Sequence, residues 1–486
     1  MKKIKKTLAL SLALTMGLSL AACGKDDDDK KDETTTAAPT TTTEADTKDT
    51  TTEADTKTEA TTGDVVEEGV IAAPSTDGWD ESKKIYVYSW DANFGKTVDL
   101  LLEDYPEYRD YVDTSMNLGV GGGDAKYAQA VDDNLANGEK YPSIIPADIG
   151  IAKYWSEDDT KTANLYDYGF TDDMFDNCYD FYLQYAKYNG ELKAVTYQAN
   201  PGSVFYRRDI AKTVFGSDDP ATVQEKLKDW DTFFATAKEL KDAGYAIVSG
   251  PDDIQYAVWD GKKNPWVTDD KLTIEDSVTQ YIEYAKKLYD EGLTNGTVGM
   301  WNDAWYADMK SDSKVFCYFG CPWFVGTMQG NGATDGDWGA VVGPKAYHWG
   351  GTFVCMGKDT PNPELAAWIL YMIGCDTDFA VKLVNSDCDT NCSANKVANE
   401  RLLNGELSAD FAVTKFLGGQ NPFEIWVDAA NGLSLDKETY VDQFIQTYMN
   451  TASHNLNDPE NTAITSVDDA IAYIKEMAKT EQHLSE

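Results

Sequence analysis

Apolar residues follow two alternating patterns along most of the chain. Short runs of apolar and β-branched residues, as at 85–89 and 143–151, predict strands. In other segments the apolar positions recur every four residues, as at Tyr127, Val131 and Leu135, which predicts helices with one buried face. Strands separated by helices are typical of α/β sheets with parallel strands, in which ligands bind beyond the carboxyl ends of the strands.

Several predicted helices are bounded by residues that favour helix ends. Polar side chains that can accept hydrogen bonds from a helix amino terminus predict the starts, and glycines predict the ends. The predicted starts are Asp124, Asp231, Thr273, Asn362 with Pro363, and Ser466, and the predicted ends are Gly138, Gly244 and Gly292. A further helix is expected near 97–105.

The amino terminus has a third pattern. Four lysines precede an apolar stretch of 14 residues, 7–20, which is too short to span a membrane comfortably. The small residues Ala21 and Ala22 then lead to Cys23. Such a segment is typical of an export signal, and Leu20-Ala21-Ala22-Cys23 resembles a bacterial lipobox, which implies lipidation of Cys23 as the mature amino terminus. An ordinary secretory signal with an incidental cysteine is the alternative.

Residues 23–82 contain almost no large apolar side chains, and the sequence TTTEADTK occurs twice, at 41–48 and 50–57. A segment of this composition cannot bury enough apolar surface to fold. We therefore expect a signal peptide over residues 1–22 and, over 23–82, a lipidated cysteine followed by a disordered tether.

The body that follows is large and acidic. Its length of about 400 residues is enough for two or three lobes. The chain has 83 acidic and 42 basic residues, a formal net charge of −41 at pH 7, which would repel the phosphates of nucleic acid. No apolar stretch after Cys23 is long enough for a membrane span, so a lipid is the only membrane contact that we expect.

Seven further cysteines follow Cys23, and an odd number cannot all pair. The C-x-x-x-C spacings at Cys317/Cys321 and Cys388/Cys392 are compatible with bridges or with metal ligands. Only three histidines accompany them, so buried thiols or one structural bridge are favoured over a metal site.

Signatures of catalysis are weak. In GVGGGD, Asp124 stands where a dinucleotide-binding fingerprint has its third glycine, and the sequence contains no phosphate-binding G-x-x-x-x-G-K-[ST] loop or G-x-S-x-G elbow. The 83 acidic residues make chance carboxylate pairs unavoidable, so composition leaves a glycosidase open. We predict no catalytic residue, no metal and no cofactor.

A series of segments, taken in order, resembles the family 1 extracellular solute-binding proteins, the carbohydrate-capture subunits of bacterial ABC importers. The resemblance covers nearly all of residues 83–486 and is carried by SWDANF, LGVGGGDAKY, YPSIIPADIGIAKYW, NGELKAVTYQANPGSVFYRRDIA, NPWVTDDKLTIEDSVTQYIEYAKKLYDEG, WNDAWYADM, KVFCYFGCPWF, DWGAVVGP, HWGGTFV and GGQNPFEIW. It implies a type II periplasmic-binding-protein-like fold, in which two α/β lobes close on a ligand in the cleft between them.

The resemblance also implies where the chain divides. Lobe one would contain residues 83–198 plus 352–388, and lobe two would contain 199–351 plus 389–486. The crossings between the lobes would lie near 198–203, 350–354 and 388–395.

The chemistry of sugar binding selects candidate residues. A pyranose has flat C–H faces and a rim of hydroxyl groups, so its site needs aromatic rings for stacking and planar polar groups for hydrogen bonds. Trp90, Asp91 and Asn93 follow the first strand and Asp148 follows another, so we expect all four at the cleft. The alternatives are a turn that packs Trp90 inward and a helix cap at Asp148.

Gln198 and Asn200, in the first crossing, can bond either a ligand or the hinge backbone. The resemblance implies a stacking role for Trp323, and Trp349 precedes two glycines that allow close backbone approach, which makes it a second platform. Core packing is at least as well supported as ligand binding for Trp301, Trp305, Phe423 and Trp426.

The sequence therefore predicts a monomeric, lipid-anchored receptor on the outer face of the cell membrane, which binds a sugar or oligosaccharide and hands it to an ABC permease. A receptor of the same fold for a non-sugar solute, or one that signals, is an alternative. Another is a secreted glycan-active enzyme, whose paired carboxylates would lie about 5–10 Å apart.

Overall fold

The computed structural model describes residues 69–388 and 390–485. The predicted signal peptide, Cys23 and the linker up to residue 68 lie outside these residues. The described strands are β1 (Ile85–Ser89), β2 (Val112–Asn117), β3 (Pro142–Asp148), β4 (Lys187–Tyr188), β5 (Glu191–Leu192), β6 (Ala194–Thr196), β7 (Ser203–Arg207), β8 (Val267–Thr268), β9 (Lys271–Leu272), β10 (Cys317–Gly320), β11 (Trp338–Val341) and β12 (Thr352–Met356). The described α-helices are Asn93–Asp104, Ala125–Asn137, Ile149–Ser156, Asp180–Ala186, Arg208–Phe215, Pro220–Leu227, Trp230–Asp242, Gln255–Trp259, Asp276–Asp290, Asp303–Ala307, Phe324–Gly330, Pro363–Gly374, Thr377–Val384, Lys396–Arg401, Ala412–Phe416, Phe423–Asn431, Asp442–Leu456 and Val467–Glu481.

The first sheet has the strand order β2-β1-β3-β12-β6. β1 pairs in parallel with β2 and β3, whereas β12 pairs antiparallel with β3 and β6. Almost every residue of β1, β3 and β12 is buried, as expected for strands that helices cover on both faces. The predicted parallel α/β arrangement is confirmed for β1, β2 and β3, and the carboxyl ends of β1 and β3 meet at one edge of this sheet.

The second sheet contains β10, β7 and β11 in that order, and its pairs are all antiparallel. The prediction of parallel strands is therefore wrong for this sheet. Alternation of strands and helices along a sequence shows which elements follow each other, but it does not fix the direction in which a later strand enters a sheet.

Three helix starts lie where the sequence predicts them. Asp124 accepts a hydrogen bond from the Lys126 N–H, and Gly138 ends that helix in the left-handed conformation with φ 76°. Ser466 caps the last helix, and Asn362 precedes a helix whose first residue is proline. The caps at Asp124 and Ser466 are confirmed, because their side chains accept hydrogen bonds from backbone N–H groups of the helix start, whereas Asn362 lies at the predicted start without a capping side-chain bond.

Two caps lie at other residues than predicted. Asp229, not Asp231, accepts from a backbone N–H at the start of Trp230–Asp242. Glu275, not Thr273, does so at the start of Asp276–Asp290. When several polar residues precede a helix, more than one of them can be the cap. Asp231 instead lies in the first turn, where its negative charge interacts favourably with the helix dipole.

Two chain segments connect the two sheets, and a third segment lies beside them. We call them the connecting segments: 197–202 joins β6 to β7, 342–351 joins β11 to β12, and 390–395 precedes the helix Lys396–Arg401. The first segment is bonded to both others. The Ala199 N–H donates to the Cys392 carbonyl at 2.9 Å, and the Gly202 N–H donates to the Tyr347 carbonyl at 2.6 Å.

Residues 71–79 pack against the body. The ring of Trp79 makes an edge contact with Tyr111 at 5.2 Å between centroids, and the Tyr108 hydroxyl donates to the Pro74 carbonyl at 2.7 Å. The linker boundary predicted at Ser82 is therefore too late, because these contacts hold the preceding residues on the body.

The seven cysteines that follow Cys23 are all buried free thiols, so neither C-x-x-x-C pair is bridged. Within residues 69–388 and 390–485, no cluster of His, Cys, Asp or Glu is arranged to hold a metal ion. In the same part of the chain, no helix combines the length and the apolar character that a membrane span needs.

Gly202 permits the contact between two connecting segments. A β-carbon at this residue would lie 2.2 Å from the ring of Tyr347, whose hydroxyl is fixed by the carbonyls of Ser203 and Gly320 at 3.0 and 2.8 Å. We expect Gly202→Ala to lower the free energy of unfolding by about 1–3 kcal/mol through overpacking. Gly330→Ala, where a β-carbon meets no atom within 4 Å, is the control in urea unfolding. Equal stability of the two variants would contradict this role.

Candidate functional site

A cavity of about 740 Å³ lies at the carboxyl ends of β1 and β3, and we call it the first chamber. Its volume is within the range of roughly 300–1,000 Å³ that is typical of small-molecule sites. The residues from the predicted set that line it are Trp90, Asp91, Asn93, Asp148, Gln198, Trp323 and Trp349. The structure thus brings together, at one cavity, residues that are up to 259 positions apart in the chain.

Glycines 121–123 form part of the wall next to β1. The Val120 N–H donates to the Trp90 carbonyl at 2.8 Å, which fixes this loop to the end of the strand. A β-carbon at Gly122 would lie 3.1 Å from the Trp90 ring and 3.2 Å from the Asp148 side chain. Gly122 therefore allows close packing against these two side chains.

The turn after β1 presents one aromatic and two polar side chains to the chamber. Trp90 is half-buried, and its ring contacts the edge of Tyr127 at 5.8 Å between centroids. The Asp91 carboxylate accepts from the Asn93 N–H at 2.8 Å, so the start of the following helix orients it. The indole and the carboxylate lie at the edge where ligands bind in α/β sheets.

Asp148 caps a helix and also lies at the first chamber. Its Oδ1 accepts from the Gly150 N–H at 2.9 Å and so caps the helix Ile149–Ser156, and its side chain also lines the first chamber. The strand predicted over 143–151 therefore ends at Asp148, where the cap starts the helix. Burial raises the pKa of this carboxyl above its ordinary value. A desolvated carboxyl of this kind gains strongly from hydroxyl donors on a ligand.

Gln198 and Asn200 have different positions in the first connecting segment. Gln198 lines the chamber, and its Oε1 accepts from the Thr352 hydroxyl at 3.0 Å. Asn200 is only 2% exposed and is not among the lining residues. With its amide nitrogen donating to the Ala199 carbonyl at 3.3 Å, its oxygen accepts from the Gly351 N–H at 3.2 Å. The structure thus supports the hinge-backbone alternative for Asn200.

Aromatic rings form the side of the chamber opposite β1. Trp323 lies 5.1 Å from Trp349 in an edge contact, and Trp301 stacks on Trp323 with 6.2 Å between centroids and 21° between planes. Behind them, Tyr256 stacks on Trp349 at 4.3 Å. These rings support one another, which holds their orientation without a ligand.

Trp301 and Trp305 differ more than their spacing suggested. They do not share a helix, because the helix Asp303–Ala307 starts after Trp301. Trp305 is fully buried and its indole N–H donates to Asp253 at 2.8 Å, whereas Trp301 is 47% exposed and lines the first chamber. Trp301 also has φ 63°, a conformation that is unusual for a large side chain. This backbone value is not visible in the sequence.

Core packing is confirmed for Phe423 and Trp426, which are both buried.

The sequence of the chain matches a family of known proteins. The family model described as bacterial extracellular solute-binding protein matches residues 120–377, which is more than half of the chain. The chain belongs to the bacterial extracellular solute-binding proteins. No curated protein matches it in sequence.

Solved structures share the fold at low identity. An extracellular solute-binding protein family 1 structure is 17% identical, with a TM-score of 0.67 over 82% of this chain and 99% of that one. The ABC transporter associated binding protein from B. animalis subsp. lactis Bl-04, in complex with β-1,6-galactobiose, is 19% identical, with a TM-score of 0.59 over 82% and 98%. The galacto-N-biose-/lacto-N-biose I-binding protein from Bifidobacterium longum, in complex with lacto-N-biose, is 15% identical, with a TM-score of 0.62 over 84% and 100%. The predicted family and fold class are confirmed.

The backbone of Trp301 yields a test of local strain. At a positive φ, alanine costs about 1–2 kcal/mol that glycine avoids. We therefore expect Trp301→Gly to be more stable in urea than Trp301→Ala by about 1 kcal/mol, although both lose the ring. At Tyr289, an exposed residue of the helix Asp276–Asp290, the order should reverse, because glycine weakens helices. The same order at both sites would refute the strain at Trp301.

Proposed function

We propose that this protein is a lipid-anchored extracellular receptor that binds a sugar or oligosaccharide in the first chamber and delivers it to the permease of an ABC importer. The observation that carries the proposal is the composition of the chamber. Indole rings of Trp90, Trp323 and Trp349 surround a space that also contains the Asp91 and Asp148 carboxylates. Aromatic platforms combined with a few planar polar groups match the faces and hydroxyl rim of a sugar ring.

The two solved structures with bound disaccharides support the choice of ligand class, since they share the fold of this chain. The family consists of binding proteins, so we propose no catalytic residue. The ligand contacts that we propose are those of Trp90, Asp91, Asn93, Asp148, Gln198, Trp323 and Trp349.

Binding is coupled to movement in this proposal. The predicted lobes, 83–198 plus 352–388 and 199–351 plus 389–486, contribute Trp90 and Asp148 on one side and Trp323 on the other. A ligand that contacts both lobes stabilises the closed form relative to the open form. The size of this effect equals the difference between the free energies with which the ligand binds the two forms. The connecting segments are the place where the backbone bends.

Trp323 provides the test of the sugar site. A thermal-shift screen of residues 69–486 against mono- and oligosaccharides, non-sugar solutes and polyols identifies the ligand class, because a ligand at 100 times its Kd stabilises by about 2.7 kcal/mol. For a saccharide found in this way, we expect Trp323→Ala to cost about 1–3 kcal/mol of binding free energy in calorimetry, through lost stacking and burial.

Trp79→Ala, which removes an indole that packs on Tyr111 and does not line the chamber, is the matched control and should leave affinity unchanged. Unchanged affinity in Trp323→Ala would remove this residue from the site. If only a non-sugar solute binds, the protein is a receptor of the same fold for that solute and not a sugar receptor.

Cys23 provides the test of the anchor. In cells that produce the full chain, Cys23→Ser should move the protein from the membrane fraction to the soluble fraction, because no acyl chain would then hold it. Mass spectrometry of the amino-terminal peptide should find the lipid on Cys23 in the wild type. Absence of the lipid from that peptide would exclude lipidation of Cys23 as the anchor.

A further inference from the structure

A second cavity of about 260 Å³ adjoins the first chamber, and we call it the second chamber. Asp148, Trp349 and Gly350 line both cavities. The ring of Trp349 contacts Trp323 on the side of the first chamber and Tyr256 in the wall of the second. A ligand that stacks on Trp323 can therefore extend past Trp349 into the second chamber.

The walls of the second chamber carry more negative than positive groups. Carboxylates of Asp148, Asp260, Glu438 and Asp442 line it, and Lys262 supplies the ammonium among the lining residues. The lysine is only 4% exposed, and its Nζ lies 2.7 Å from Glu438 and 2.5 Å from Asp442. Lys262 is thus committed to two carboxylates, and the chamber has more carboxyl groups than ammonium groups.

The other charged and titratable groups near the chamber do not remove this excess. Lys345 donates to the backbone carbonyl of Asp260 at 2.7 Å, and Lys437 pairs with Asp436 at 3.2 Å. Both ammonium groups oppose the rise in the pKa of Asp260 but do not cancel it. Burial lowers the pKa of His348 to about 4, so this imidazole is neutral at pH 7. The phenols of Tyr185 and Tyr256 are also neutral, because burial raises their pKa values.

Burial makes the negative groups of this chamber costly to ionise. It raises the pKa of Asp148, that of Asp260 to about 7, and that of Glu438, although the Lys262 ammonium opposes the rise at Glu438. Such carboxyls retain protons near neutral pH unless a cation compensates them.

One polar group in the wall also has no partner. Trp259 lines the second chamber and is 3% exposed, and its indole N–H has no hydrogen-bond acceptor among the described residues. Buried donors are nearly always paired in folded proteins. This N–H has almost no accessible surface, so it can pair with a ligand oxygen only if the wall rearranges.

We infer that the second chamber is a subsite for a positively charged group of the ligand, which makes the preferred ligand an amino-bearing saccharide that spans both chambers. The inference rests on the proposed function, because the remainder of the ligand is the sugar in the first chamber. An ammonium group suits buried carboxylates, and the hydroxyls around it suit the glutamine side chains of the wall. A saccharide with a carboxylate would be repelled.

Proton release accompanies binding in this arrangement. A bound ammonium stabilises the charged forms of the carboxyls and so lowers their pKa values. Groups that were protonated in the free receptor then lose protons to the buffer. Affinity for the amine therefore rises with pH through the pKa of Asp260, about 7, until the ligand ammonium itself loses its proton, whereas affinity for a neutral saccharide does not rise.

The test compares matched ligands in calorimetry. The probes are di- and trisaccharides of glucosamine and galactosamine, their N-acetylated forms, the corresponding neutral oligosaccharides of glucose and galactose, galacturonic acid oligosaccharides, and putrescine as an amine without a sugar. We expect the amino saccharides to bind roughly tenfold or more tightly than their acetylated and neutral counterparts. Titrations in two buffers of different ionisation enthalpy should show protons released with the amino saccharides only.

Glu438→Gln removes one carboxylate of the subsite, and the ratio of amine to neutral affinity should fall about tenfold. Glu460→Gln, at an exposed residue outside the second chamber, should leave that ratio unchanged. If Glu438→Gln does not fold, the proton release of the wild type still decides the question.

The outcomes separate this inference from the proposed function. Neutral saccharides that bind as tightly as the amino forms, with no proton release, would overturn the charged subsite and leave the sugar receptor standing. Binding of putrescine without any saccharide would overturn the sugar receptor. If none of the probes binds, both the charged subsite and the proposed sugar receptor are contradicted.

Discussion

Backbone hydrogen bonds among the three connecting segments are the constraint on which the rest of the structure depends. The first segment is bonded on one side to 390–395 and on the other to 342–351, where the Trp349 N–H donates to the Asn200 carbonyl at 3.2 Å. The same segments supply Gln198, Trp349 and the neighbouring glycines to the first chamber. The segments 197–202 and 342–351 therefore both line the first chamber and connect the two sheets. A rotation of one sheet relative to the other must change backbone torsions in these segments.

The aromatic side of the cavity has a different basis. Its rings are held by contacts among themselves, and Trp301 is held there in spite of an unfavourable backbone conformation. A strained residue persists only when the surrounding packing determines its position. The first chamber thus has one side that is held by backbone hydrogen bonds and another that is held by packing between aromatic rings. The two sides can move by different amounts when a ligand binds.

The sequence was sufficient for the features that depend on local rules. Caps at Asp124 and Ser466 satisfy helix ends through nearby residues, and Trp90 and Asp148 follow strands whose apolar runs are evident. It was not sufficient for features that depend on distant contacts. The antiparallel second sheet and the buried position of Asn200 were not predicted for this reason.

The second chamber depends most strongly on distant contacts. Its walls come from segments near residues 148, 260, 348 and 440, and no local sequence pattern relates these segments. The positive φ of Trp301 could not be predicted either, because local preference favours glycine or asparagine there.

The seven buried thiols have a consequence for the lifetime of the protein. Burial raises the pKa of Cys178 and Cys355 to about 12, and the thiolate is the form that oxidants attack. In the folded chain these thiols are therefore chemically inert, whereas each unfolding event exposes all of them with ordinary reactivity. With no native disulfide to form among these seven, every bridge between them would be a mispairing that opposes refolding. Resistance to oxidation is thus set by the unfolding equilibrium, and a variant that is destabilised anywhere in the body also becomes more sensitive to oxidants.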